Sequence, residues 1–223
     1  MILFKGKTND LETLFPPTLK LDGQICVRNG ISARSKFMIG IYDIALYLGE
    51  MTEDAETAIT SRYAKQLRMV SRRNIKGSLL ENAFKDGIRA NSSAEEYQKI
   101  ASVIDDVFGE LFKTNTIKEG AMFTIEFSPE HGVRLNYDEV GDLPYIKEEG
   151  FDQAILRAWL GDNPISLEMK KELLGQHECY TAYFYTSHIF RFPIKHGNLI
   201  YLVDSASNFF TRFNRVIFIA TLF

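Results

Sequence analysis

Phe123, Ile125 and Phe127 alternate with Thr124 and Glu126, the two-residue period of a strand with one buried face and one wet face. Tyr97, Ile100, Ile104, Val107, Phe108 and Leu111 instead recur every three or four positions, the mark of a helix buried along one side. Ser93 and Glu96 open that helix as a capping box, each side chain satisfying an orphan amide, and it is expected to end before Thr114. A second helix carries Ile75, Leu79, Ala83, Phe84 and Ile88 on one face, with Asn74 as its expected cap.

Asp22-Gly23 reads as a tight hairpin turn, because glycine supplies the positive φ that a two-residue loop needs. Strands are expected at 18–21 and 24–27 around it, then as one long run over 35–48, and again near 63–71. After the strand at Phe123, 129–132 turns the chain into a strand over 133–137, with a short one near 144–147. Two helices close the order, 151–160 and 166–174, joined through Gly161-Asp162-Asn163-Pro164. Strands, two helices, strands, two helices is an α+β order, an antiparallel sheet layered with helices.

The chain of 223 residues is 45% hydrophobic, enough for one domain with a sizeable core. Its formal net charge of −3 gives no reason to expect nucleic acid as a partner. Cys26 and Cys179 have no metal or redox spacing and are expected to be ordinary thiols. The first ten residues, MILFKGKTND, lack the apolar core of a secretory signal, so a cytoplasmic or organellar place is expected without choosing between them. No run is long enough to cross a bilayer as a helix.

From Gln176 the composition changes: 12 of the last 48 residues are Phe or Tyr, only Glu178 and Asp204 are acidic, and His177, His188 and His196 lie there. A translated non-coding or frame-shifted segment fits this tail best, with a docking tail second and a histidine metal site last. The expected division is an extension over 1–14, a domain over 15–175 and the atypical tail over 176–223.

Chemistry concentrates at Arg34, a guanidinium at the mouth of an apolar strand. Such a group is costly to bury unless an anion meets it. Arg34 and Tyr42 share parity, whereas Tyr47 has the opposite parity and is expected in the core. Eight residues of straight strand would hold Arg34 and Tyr42 about 26 Å apart, so joint action needs a bend or bulge, placed most simply at Gly40. His131, in a turn beside Gly132, reads as a solvated residue. No glycine-rich phosphate loop, carboxylate pair or metal-ligand cluster stands out.

Two separated blocks resemble the chalcone isomerase fold family. The first runs through Phe15-Pro16, then Asn29-Gly30-Ile31-Ser32-Ala33-Arg34-Ser35-Lys36-Phe37, then Ile41-Tyr42 and Leu46-Tyr47-Leu48. The second comprises Phe151, Ala154, Trp159-Leu160-Gly161-Asp162, Pro164 and Ser166, followed by Lys170-Lys171-Glu172-Leu173-Leu174-Gly175. The resemblance implies an open-faced β-sandwich layered with helices. It also implies that Arg34, paired with Tyr42, orients the carboxylate of a bound fatty acid or similar amphipathic ligand, with no cofactor. In the plant enzymes of the family an active-site tyrosine stands seven residues before a helix asparagine. Asn82 matches that asparagine, but Ile75 stands in the tyrosine's place. A non-catalytic binder is therefore expected first, with Arg34, Tyr42 and Asn82 as its ligand-binding residues, and an intramolecular lyase of the chalcone isomerase type second, with Asn82 as its catalytic candidate. A haem-binding relative needing His131 as axial ligand comes third, and a partner-binding protein with a filled pocket last.

Overall fold

The computed structural model describes residues 13–113 and 116–176. All of the 176–223 tail except Gln176, and all of the 1–14 extension except residues 13 and 14, lie outside the described residues.

Seven strands form one curled antiparallel sheet. In chain order its members are β1 (Thr18–Leu21), β2 (Gln24–Lys36), β3 (Ile39–Leu48), β4 (Lys65–Ser71), β7 (Met122–Ser128), β8 (Gly132–Tyr137) and β9 (Gly141–Asp142), and each pairs with the next. A separate ribbon joins β5 (Ile75–Lys76) to β6 (Thr116–Ile117). The described helices are α1 (Ala55–Thr60), α2 (Gly77–Ala90), α3 (Ala94–Leu111), α4 (Phe151–Leu160) and α5 (Leu167–Leu173). The fold is α+β, as the order of elements predicts.

Strand parity divides the buried residues into two cores. Tyr42, Ile44, Leu46 and Leu48 of β3 face the helices, with Leu67, Met69, Phe123, Ile125, Leu135 and Tyr137 from neighbouring strands. Ala45 and Tyr47 face the other way, joining Phe15, Cys26, Ala64 and Val70 in a smaller core. The Tyr47 hydroxyl donates to the Pro16 carbonyl at 2.9 Å, and Arg28 donates to that of Phe15, so the segment before β1 is tied down by strand side chains.

Several elements depart from the sequence expectation. The run expected as one strand over 35–48 is split by a two-residue turn at Phe37-Met38, and β2 extends from Gln24 to Lys36. Helix α2 starts at Gly77 rather than behind Asn74. Ile75 is held in the β5–β6 ribbon, and the Asn74 side chain accepts from the Glu119 amide instead of capping. The buried face of α2 is Gly77, Leu80, Phe84, Gly87 and Ile88, which leaves Leu79 exposed. Near 144–147 there is only a bridge between Ile146 and Val133, the short edge strand lying earlier at β9. Helix α1, capped by Asp54, carries too short an apolar pattern to announce itself. The capping box at Ser93 and Glu96 is formed as expected.

Two bulges shape the β2–β3 pair. Between the pairs Arg28–Tyr47 and Gly30–Leu46, Asn29 is the extra residue, and its side chain turns to the loop and helix beyond. Its amide nitrogen donates to the carbonyls of Thr52 (3.0 Å) and Leu173 (2.9 Å), and its oxygen accepts from the Thr52 amide. Next to it, a Cβ on Gly30 would come within 2.1 Å of the Glu172 carbonyl oxygen, so only glycine lets α5 lie this close on β2.

Candidate functional site

The turn at Phe37-Met38 decides the geometry. Both residues have positive φ, 51° and 64°, and β3 folds back along β2. Ser35 opposes Gly40, Ile41 is the extra residue of the second bulge, and Arg34 directly opposes Tyr42. The separation expected from a straight strand is therefore wrong. The two residues are cross-strand neighbours, whose Cβ atoms stand about 5 Å apart with side chains on one face. A bulge does lie here, one position after Gly40, but the reversal of the chain brings the pair together.

Tyr42 is buried, 6% exposed, and its hydroxyl accepts from the indole nitrogen of Trp159 at 3.4 Å. Burial pushes the Tyr42 phenol above its ordinary pKa, while the Trp159 bond and the positive charge of Arg34 pull it back down. Arg34 is half-buried near the turn end of the hairpin. No described acid pairs with it. The nearby Asp43, on the opposite face, is engaged by Arg72, whose Nε lies 2.8 Å from Oδ2. Two residues along β2 on the Arg34 side, the Ser32 hydroxyl is buried and has no hydrogen-bond partner among the described residues. Ser71, opposite Tyr42 on β4, is occupied, donating to the Arg73 carbonyl at 2.6 Å.

Behind Tyr42 the layer between sheet and helices is filled with rings. Phe84 meets Trp159 edge-on at 5.2 Å and Phe112 at 5.7 Å, and Phe112 meets Phe123 at 5.7 Å. A cavity of about 310 Å³ opens elsewhere, around Lys65, Phe127, Ile146 and Asp152. Lys65 opposes Leu48, six residues along β3 from Tyr42, about 20 Å away along the strand.

The other residues marked by sequence lie apart from this pair. Asn82 is on the exposed face of α2, and Ile75, in the ribbon, has no hydroxyl to offer beside it. His131 is exposed on the β7–β8 turn, its ring 5.4 Å from that of Tyr145. Sequence reasoning missed Trp159 as the partner of Tyr42, and Ser32 altogether. Parity with Arg34 could have marked Ser32, but nothing in the sequence links residues 42 and 159.

The sequence profile of the chalcone isomerase-like family matches residues 11–175. No curated protein matches the chain. Among solved structures, a fatty-acid binding protein of Arabidopsis thaliana superposes with a TM-score of 0.57 at 11% identity, covering 73% of this chain and 91% of that one. At that identity the likeness is one of fold.

Proposed function

The chain belongs to the chalcone isomerase-like family, and from that premise we propose that it is a non-catalytic binder of a fatty acid or similar small amphipathic carboxylate. One observation carries this: a half-buried guanidinium, with no carboxylate partner among the described residues, stands directly across from a buried tyrosine. The fatty-acid binding of the Arabidopsis neighbour supports the same ligand class.

In this scheme Arg34 takes the carboxylate through two parallel N–H bonds, the arrangement its planar fork favours. Tyr42 donates its hydroxyl proton to the same headgroup while still accepting from Trp159. The acyl chain enters the layer between sheet and helices, gaining about 0.8 kcal/mol per buried methylene. Because Phe84, Phe112 and Phe123 fill that layer, entry requires their rings to move, and part of the gain offsets that repacking.

Trp159 is the single tryptophan of the sequence and bonds the Tyr42 hydroxyl, so its emission reports on the site. Titrating the full chain with a long-chain fatty acid is expected to change that emission saturably. Arg34→Ala is expected to weaken binding by roughly 1.5–3 kcal/mol, the range for a hydrogen bond to a charged group. No saturable change with the native chain, or equal affinity in Arg34→Ala, overturns the proposal. Loss of a chalcone's absorbance at a rate abolished by Arg34→Ala would replace it with the lyase.

A further inference from the structure

The β2–β3 turn is built from the wrong residues for a turn. A two-residue loop with both central φ positive favours Asn-Gly, and bulky side chains are strained there. Here it holds Phe37 and Met38, which are 87% and 100% exposed, followed by Ile39 at 50%. Three large apolar side chains thus stand in water at the end of a projecting hairpin, two of them on strained backbone.

The charge around them is as uneven. Residues 34–43 and 71–76 hold five cations (Arg34, Lys36, Arg72, Arg73 and Lys76) and one carboxylate, Asp43, in a chain whose net charge is −3. The two segments are neighbours: Arg72 donates its amide to the Ile41 carbonyl, and its side chain lies across Gly40. Asp43 is itself paired with Arg72. On the adjoining loop, Lys118 pairs with Glu139 at 2.7 Å and Glu119 adds one carboxylate, so the five cations still outnumber the acids around the tip.

We infer that the Phe37-Met38-Ile39 tip, ringed by Lys36, Arg72 and Arg73, docks the protein peripherally on an anionic lipid surface. The apolar side chains enter the interface, and the cations meet the headgroups. A second copy of the chain is a poor occupant, because a two-fold contact would set one basic tip against another. No helix among the described residues is long and apolar enough to cross a membrane. The inference stands independently of the ligand proposed for Arg34 and Tyr42.

The test is co-sedimentation of the full chain with phosphatidylcholine vesicles, with and without phosphatidylserine. Native protein is expected to sediment with the phosphatidylserine vesicles and to release as salt rises. The double variant Phe37→Asn with Met38→Gly installs the turn's favoured pair, so it is expected to melt no lower than the native chain. Its vesicle affinity is expected to fall roughly thirtyfold or more, since two apolar anchors are gone. Lys36→Glu is expected to weaken binding about tenfold or more on phosphatidylserine vesicles and little on neutral ones. Native protein that stays in the supernatant, or a double variant that binds as tightly as native, overturns the inference. So does a dimer seen by sedimentation velocity without lipid that the double variant dissolves, because the tip's occupant is then a second copy.

Discussion

Lys65 sits 3% exposed in β4, its ammonium donating to the Ile59 carbonyl at 2.9 Å and to that of Ser61 at 2.6 Å. Those carbonyls belong to the open end of α1, so a buried lysine finishes a six-residue helix. Burial lowers its pKa from 10.5 to about 8, with the charge of Asp152 opposing. Below about pH 8 the group is charged folded and unfolded alike, and burying that charge lowers stability. Between about 8 and 10.5 only the unfolded chain keeps the proton, so this group makes stability rise with pH across that window. The neutral amine still has two hydrogens for its two carbonyls. Relative to Lys65→Met, the native chain is expected to gain stability from pH 8 to 10.5, by on the order of 3 kcal/mol at most. Paired urea titrations across that range check it, and a constant difference refutes it. Arg34 was legible in sequence, because a guanidinium in an apolar strand is conspicuous. Lys65 was not, because a lysine at a strand start looks solvated until the helix above it is placed.

Among the elements, those with the strongest period and the clearest caps were the ones the sequence disclosed. Helix α3 has five buried positions on one stripe and both hydrogen bonds of its capping box, 2.8 and 3.1 Å. Ser93→Ala is expected to cost about 1 kcal/mol of stability, visible as a lower denaturation midpoint at unchanged slope. The β2–β3 hairpin was hidden for the converse reason. Asp22-Gly23 announces a turn, whereas Phe37-Met38 carries the composition of a strand, and only pairing across the sheet overrides it. The start of α2 was misplaced because Ile75 prefers a strand partner, Ile117, that lies far along the chain.

For the molecule as a whole, the α+β class followed from element order, but the filling of the interior did not. Ring contacts join α2, α3 and α4 to the sheet through Phe84, Phe108, Trp159 and then Phe112 against Phe123, and no local pattern dictates which rings meet. Packing of this kind makes stability and ligand capacity compete. Phe84→Ala is expected to destabilise by about 3–5 kcal/mol while opening room beside Trp159. If the acyl chain enters this layer, the same variant binds fatty acid more tightly than the native chain. A lower melting temperature together with a lower dissociation constant would establish that exchange, and weaker binding would place the acyl chain elsewhere.

The clasp between Asn29 and Leu173 spans 144 residues of sequence. Contacts that close so long a loop form late, because the chain's freedom is surrendered before they return any energy. Strand β2 thus stays incompletely covered until α5, far along the chain, has been synthesised. Helper proteins that shield nascent chains would find their target there, on a strand that is finished only when α5 arrives.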